Sequence, residues 1–233
     1  MVDLVILLIL AIALLAGYYR GVVYAAISLG LSILSFGLAL LLCTSLSGAF
    51  QKRQTLYEMM LYYFEGYEYI NETSVELVHV SASQIGDKEL SVVVKNANMP
   101  VPFDRAVTNN VKRLVYESRG IYSLGDYFNQ TIVDTVLNIL SLLLLFLIFR
   151  LGLGFILRLI DFGADGLPQL RRFDPLISSG IGLLHGMFLV FVLFMAVPIL
   201  LVVVPRLEVF LQESLLGEFL YRGNLLLRMV PTV

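Results

Sequence analysis

Few residues in this chain have the types and the spacing that catalysis or metal binding requires. The two histidines, His79 and His185, are far apart in the sequence, and neither lies near Cys43, the single cysteine. A zinc site needs such ligands at short intervals, and the sequence has no nucleophile elbow, phosphate-binding loop or dinucleotide fingerprint. The solvated face of a helix explains the acidic pair Glu65 and Glu68 better than acid/base catalysis does. The sequence therefore predicts a protein that is not an enzyme and that uses no cofactor or metal ion.

Ionisable residues in apolar surroundings are the remaining candidates for function, because such groups are costly inside a bilayer. Asp3 is expected to mark the outer membrane surface. Arg20 is expected to anchor a helix end, with a lipid contact as the alternative. Arg150 either ends an apolar segment or faces a polar cavity. For His185 we expect a hydrogen bond between helices, with proton sensing as the alternative.

These residues lie in or beside four apolar segments, at 2–19, 22–43, 136–149 and 176–204. A helix needs about 20 mostly apolar residues to cross a bilayer, and the third segment reaches that length if it extends toward Leu159. No Lys or Arg precedes the first segment, so we expect a retained transmembrane helix rather than a cleaved signal peptide. The expected fold class is all-α, a polytopic membrane protein with four transmembrane helices.

The composition excludes several other classes of protein. Of the 233 residues, 58% are hydrophobic and 15% are charged, and the formal net charge is -2. An average soluble domain has about 45–50% apolar and about 25% charged residues. Disorder requires low hydrophobicity and high net charge, and a nucleic-acid-binding protein usually has a basic excess. The expected partner is therefore the lipid bilayer and not a nucleic acid.

Glycines and charges divide the chain further. One unbroken helix through the first two segments would be about 63 Å long, so the chain is expected to turn between Gly17 and Gly21. The polar stretch that follows is predicted to hold short amphipathic helices, and the tail after Pro205 an interfacial amphipathic helix. Short helices are expected at 56–64, after a capping box at Thr73 and Glu76, and at 103–116. The predicted regions are a first transmembrane hairpin at 1–49, an extracellular polar insert at 50–133, a second transmembrane hairpin at 134–205 and an amphipathic tail at 206–233.

The orientation follows from basic residues in the short connections, which favour the cytoplasm. Arg20 lies in the first hairpin. The second hairpin carries further arginines, so both hairpins are predicted to be cytoplasmic and both termini outside. The arginines of the second hairpin are Arg150, Arg158, Arg171 and Arg172.

Small residues recur at four-residue intervals within the apolar segments. Gly17 and Gly21 form one such pair, and Ser178, Gly182 and Gly186 form a ladder on one face of the fourth segment. Small residues at this spacing let membrane helices approach closely. The face predicts packing within one chain, with a subunit interface as the alternative. Segment two adds Ala25, Ser28, Ser32, Ser35 and Ala39.

At these positions the sequence resembles the colicin V production protein (CvpA) family. Asp3, Arg20-Gly21 and Ser28 match the pattern D-x16-RG-x6-S of the family's first hairpin. Asp161 lies in a basic hairpin that contains glycines, as in the family.

The second hairpin carries the rest of the resemblance. Asp174 opens the fourth segment, and small residues follow at Ser178, Gly182 and Gly186. The family usually has glycine where Ser178 stands and arginine where His185 stands. The long outer insert resembles that of Gram-positive members.

The resemblance implies a multi-pass protein of the bacterial cell membrane that is needed for the production of colicin V or another toxin. The expected role is a non-enzymatic accessory or scaffold for toxin export and envelope function, which acts as a homo-oligomer or with other membrane or export proteins. The alternative is an oligomeric membrane channel or transporter, in which charged hairpins would line a vestibule.

Overall fold

A computed structural model describes residues 2–64, 66–70, 72–159, 174–204 and 206–232. Within these residues the chain is all-α and forms no β-strand, with one isolated bridge between Ser81 and Ser123. Four helices are long and apolar enough to span a membrane, which confirms the predicted fold class. The α-helices are α1 (Val2–Arg20), α2 (Val22–Gln51), α3 (Gln54–Tyr63), α4 (Asp87–Ala97), α5 (Phe103–Lys112), α6 (Leu124–Leu159), α7 (Asp174–Phe194), α8 (Val197–Val203), α9 (Leu207–Gln212), α10 (Leu215–Arg222) and α11 (Leu225–Arg228).

The chain divides into two compact units. The first, called the membrane unit here, comprises Met1–Cys43, Leu142–Val197 and Arg206–Leu226. The second, called the insert unit, comprises Thr44–Ser141, Pro198–Pro205 and Leu227–Val233. Helices α2 and α6 therefore each contribute residues to both units.

Helices α1 and α7 form the closest helix pair of the membrane unit. A Cβ atom added at Gly182 would lie 2.5 Å from the Ala13 carbonyl oxygen and 2.9 Å from the Gly17 Cα atom. One added at Gly17 would collide with the Ser178 carbonyl oxygen. The small residues therefore let the two backbones touch, as expected for membrane helices.

Aromatic side chains pack together where α2, α6 and α7 meet in the membrane unit. The ring of Phe36 on α2 lies 6.4 Å from that of Phe146 on α6 and 5.9 Å from that of Phe188 on α7. Edge-to-face contacts at such distances stabilise aromatic pairs beyond their buried area. Large apolar side chains on the opposite faces, such as Leu4, Leu41 and Leu151, are mostly exposed in the protein chain. Those faces suit contact with lipid.

Gly21 makes the break between the first two spanning helices. Its φ of +80° lies in the left-handed region, which side chains with a Cβ atom rarely adopt. The predicted turn between Gly17 and Gly21 is thus placed at one residue, because Gly17 itself remains helical at the contact with α7.

The insert unit has a conventional hydrophobic core. Phe103 and Val107 of α5 pack with Leu90 and Val93 of α4 and with the first turns of α6 in this core. Helix α4 fits its sequence, since acidic residues occupy its first turn, Lys95 its last turn, and Asn98 the left-handed position that ends it. Acidic residues near the N-terminus and a lysine near the C-terminus suit the helix dipole, and a residue in the left-handed conformation commonly ends a helix.

Some element boundaries differ from the sequence predictions. Helix α6 begins at Leu124, well before residue 136, because its first turns are buried in the insert core. Thr73 and Glu76, predicted as a capping box, lie inside a 3₁₀-helix, Glu72–His79, and the helix predicted at 103–116 ends at Lys112.

The tail, for which the sequence predicts an amphipathic helix, is helical but divided into short helices. It consists of α9, α10 and α11. Ser214 caps the start of α10, and Gly223 follows its end. Residues of these two types interrupt helices, since serine favours the N-cap and glycine the residue after the last turn.

Candidate intramembrane polar site

Three spanning helices of the membrane unit bring four polar residues together. The Arg150 Nε atom on α6 donates to the Ser32 hydroxyl on α2 over 3.0 Å, and Arg150 Nη2 donates to the Ser28 hydroxyl over 3.0 Å. The same Ser32 oxygen lies 2.9 Å from Nε2 of His185 on α7. Ser32 thus connects a guanidinium and an imidazole.

The serine spacing on α2 accounts for this arrangement. Residues four apart lie on one face of a helix, so Ser28 and Ser32 present their hydroxyls to the same guanidinium. The Ser32 hydroxyl also lies 3.0 Å from the Ser28 carbonyl oxygen, to which it can donate. If it does so, its single hydrogen is used, so Nε2 of His185 must donate to the Ser32 oxygen, which also accepts from Arg150.

The sequence did not place Arg150 and His185 together, and the structure does. Helix α6 continues past Arg150 to Leu159, so Arg150 does not end the third span, and its guanidinium contacts two hydroxyls of α2. His185 makes the helix-to-helix hydrogen bond expected of it. The available signal is the pair Ser28 and Ser32, four residues apart on α2, but this spacing alone does not indicate an arginine partner.

One end of the membrane unit joins the two hairpins. The Asp174 carboxylate accepts a hydrogen bond of 2.9 Å from the backbone N–H of Val22, so an acidic side chain satisfies an open donor at the start of α2. Gly21 provides the turn immediately before it. Arg20 places its guanidinium 5.0 Å from the centre of the Tyr24 ring, a cation–π contact suited to an interfacial anchor.

The small-residue face of α7 is occupied within the chain. Ser178 and Gly182 meet Gly17 of α1, and Gly186 lies against Ala13. The alternative, in which this same face forms a subunit interface, does not agree with that packing.

Asp3 has a more specific role than the boundary marker predicted for it. Its Oδ1 atom accepts from the Ser214 hydroxyl over 2.6 Å and from the Leu216 backbone N–H over 2.9 Å. The first turn of α1 therefore holds the start of α10. The sequence signal was Ser214, a typical N-cap residue, but its partner lies more than 200 positions away.

The predicted residues do not converge on one centre. Asp3 and Asp174 lie in separate contacts with Ser214 and Val22, and Asp161 lies outside the described residues, as do Arg171 and Arg172. Within the described part of the chain, no group of three or more His, Cys, Asp or Glu residues could hold a metal ion.

The insert unit contains a buried carboxylate that sequence reasoning missed. The fully buried Asp134 accepts from Tyr57 over 2.7 Å, from Tyr116 over 3.0 Å and from Gln51 over 3.0 Å. Arg119 adds an ion pair at 3.7 Å. In the sequence Asp134 stands at the start of an apolar stretch, and its hydrogen-bond donors lie on three other segments. No local pattern therefore marks it.

The chemistry of this cluster is structural. Burial and the neighbouring Asp134 charge raise the pKa of both Tyr57 and Tyr116. Both hydroxyls therefore remain protonated and serve as hydrogen-bond donors to the carboxylate, since a buried charge must be paired and hydrogen-bonded.

Comparison of the chain with protein-family models, curated proteins and solved structures gives no match.

Proposed function

We propose that this chain is a membrane scaffold of the CvpA type, which supports the production or export of a colicin V-type toxin without catalysing a reaction. The observation that carries the proposal is the use of the Ser178–Gly182–Gly186 face, which packs on α1 of the same chain. A ring-shaped pore built on that face would need it free. Close packing inside the chain favours a rigid scaffold over such a pore.

The residues that carry the family resemblance support this proposal through the contacts they make. Asp174 bonds to the start of α2, Ser28 to Arg150 of α6, and Asp3 to the start of α10. Each contact joins two segments distant in sequence. Such roles suit a protein whose function depends on a fixed arrangement of helices.

The proposed location is the bacterial cell membrane, with both hairpins in the cytoplasm and both termini outside. The contact between Asp174 and Val22 supports one shared end for the two hairpins. In this orientation the insert unit is extracellular and is offered to export proteins. Faces other than that of Gly182 remain for a homo-oligomer.

Cysteine labelling tests the orientation. Starting from a Cys43→Ala background, a cysteine at the exposed position Asn96 should react with an impermeant thiol reagent in intact cells. One at Gln169, in the second hairpin, should react only after the cells are opened. The reverse pattern would contradict the topology.

The scaffold role is tested in the host bacterium. Deleting the gene should reduce secreted toxin activity, and the wild-type gene should restore it. Gly182→Leu should not restore it, whereas Gly180→Leu should, because a Cβ atom at Gly180 meets nothing within 4 Å. Purified protein in a planar bilayer should show no conductance. Reproducible single-channel steps would favour the channel alternative and contradict the scaffold.

A further inference from the structure

Arg150, which is half-buried in the protein, carries a positive charge within an apolar span. Ser28 and Ser32 lie six and ten residues after the start of α2, about 9 and 15 Å along the helix. His185 lies about 16 Å from the start of α7 by the same measure. Measured from the helix ends that meet at Val22 and Asp174, the residues bonded to the guanidinium lie about 9–16 Å along their spans, within the length of a hydrocarbon core of about 30 Å.

No carboxylate among the described residues forms an ion pair with Arg150. Its partners in that part of the chain are the neutral hydroxyls of Ser28 and Ser32. A charge at this depth is costly without a counter-charge. The described residues of the cluster therefore give the guanidinium two hydrogen-bond acceptors but no negative charge to balance its own.

Hydrogen-bond donors also exceed acceptors at this site. Within the described residues Arg150 Nη1 makes no hydrogen bond, and the Ser28 hydroxyl accepts from Arg150 but donates to no acceptor. Gly154, one helical turn after Arg150, has no side chain, and a Cβ atom there would lie 3.1 Å from Nη1. The glycine keeps the free edge of the guanidinium open.

We propose that Arg150, Ser28, Ser32 and His185 form an intramembrane binding site for a monovalent oxyanion, a carboxylate or a phosphodiester. The outer end of the guanidinium, formed by one N–H of Nη1 and the second N–H of Nη2, presents two parallel donors, the arrangement with which arginine binds two oxygens of one anion. A single negative charge balances the guanidinium, whereas a second would remain unpaired at low dielectric. This binding activity goes beyond the proposed scaffold role.

Histidine NMR on the full chain tests the proposal. His185 is at the cluster and His79 is in the insert unit, and the chain has no other histidine. Protein labelled with ¹⁵N-histidine is held at constant pH in maltoside micelles, which contain no anion. Sodium acetate should shift the His185 signals saturably and leave those of His79 unchanged. Sodium chloride at equal concentration should have a much smaller effect.

A second arm distinguishes a free carboxylate from a lipid. Phosphatidylglycerol added to the micelles supplies a phosphodiester, and neutral diacylglycerol is its control. A saturable His185 shift with the anionic lipid alone identifies a lipid headgroup as the occupant. A shift with acetate alone identifies a free carboxylate. Either result supports the oxyanion site. If neither acetate nor phosphatidylglycerol shifted the His185 signals, the proposal would be overturned.

Variants connect the response to the cluster. Arg150→Gln should weaken acetate or lipid binding at least tenfold, and Ser28→Ala should weaken it less. Arg150→Lys keeps the charge but loses the planar, forked set of N–H donors, so it should bind acetate or lipid weakly. Arg222→Gln is the matched control, since it removes one charge from the membrane unit at an exposed ion pair with Glu218, outside the cluster. If Arg150→Gln and Ser28→Ala, each with native circular dichroism, responded like the wild type, the site would be disproved.

The chain's own carboxylates provide a further control. Asp161 and Asp165 lie outside the described residues, and the double variant Asp161→Asn/Asp165→Asn should keep the acetate or lipid response unchanged. If binding appeared only in this variant, a carboxylate of the chain would be the occupant, and the proposal of an external anion would be wrong.

Discussion

The membrane unit and the insert unit pack in different ways. In the membrane unit α1 and α7 meet through their backbones at Gly17 and Gly182, while large side chains such as Leu41 face outward. In the insert unit the aromatic side chains of Tyr116 and Phe103 are fully buried. Among the described residues, no fully buried carboxylate other than Asp134 is found in either unit.

The difference follows from the solvent that each unit is built for. In water, the burial of apolar area drives packing, so the insert unit places its largest apolar groups inside. In lipid, that driving force between helices is absent, and close van der Waals contact replaces it. The membrane unit should therefore be sensitive to added volume, and the insert unit to lost volume or lost polar partners.

The largest effect is expected from Gly182→Leu. The added side chain would begin 2.5 Å from the Ala13 carbonyl oxygen, so α1 and α7 must separate along their length. We expect a loss of upwards of about 3 kcal/mol in unfolding free energy, at or above the usual range for overpacking. Unfolding in mixed maltoside and dodecyl sulfate micelles, followed by circular dichroism, measures it.

Gly180→Leu is the matched control, because it lies on the same helix and faces open space. It should change the unfolding free energy by less than about 0.5 kcal/mol. If the two variants unfolded at the same dodecyl sulfate fraction, close contact between helix backbones would not be what stabilises the membrane unit.

Much of the membrane unit could be predicted from the sequence, because its helices depend on local patterns. Charge-free segments of sufficient length predict spans, and glycine near Arg20 predicts a break. Gly182 could be identified as a packing residue by its spacing alone. The helix that it would pack on could not be identified.

Contacts between distant segments were not predictable in this way. Arg150 meets Ser28, 122 positions away in sequence, and the contact depends on how each helix is rotated about its axis. Asp134 is a similar case, since its donors lie on three separate segments. A single sequence contains the residues of such clusters but not the rotations that bring them together.

Asp134→Ala tests the insert unit by the loss of a polar group. Three donors, on Tyr57, Tyr116 and Gln51, would lose their acceptor. At about 1 kcal/mol for each hydrogen bond, the insert unit should lose about 2–3 kcal/mol of stability. Arg119 adds little, since its side chain is 43% exposed and water screens its ion pair with Asp134. Hydrogen exchange of the α4 and α5 amides measures the loss.

Tyr57→Phe is the graded control for this effect. It removes one donor and keeps the ring, so about 1 kcal/mol should be lost. If Asp134→Ala caused no more loss than Tyr57→Phe, the carboxylate would not organise the insert unit, and the contrast between the units would rest on apolar packing alone.

Ser214→Ala should have the smallest effect, and it refines the contrast. Ser214 belongs to the membrane unit, yet it acts as a conventional N-cap, with its oxygen accepting from Gly217 N–H over 2.9 Å and its hydroxyl donating to Asp3. Loss of such a cap costs about 1 kcal/mol. Faster hydrogen exchange over Leu215–Arg222 would show it.

Gln212→Ala, which removes an exposed hydrogen bond to Glu208, should leave that exchange unchanged. Equal exchange in both variants would mean that α10 is held by its apolar face alone. A selective effect would show that the membrane unit relies on polar capping at the end where its helices leave the lipid.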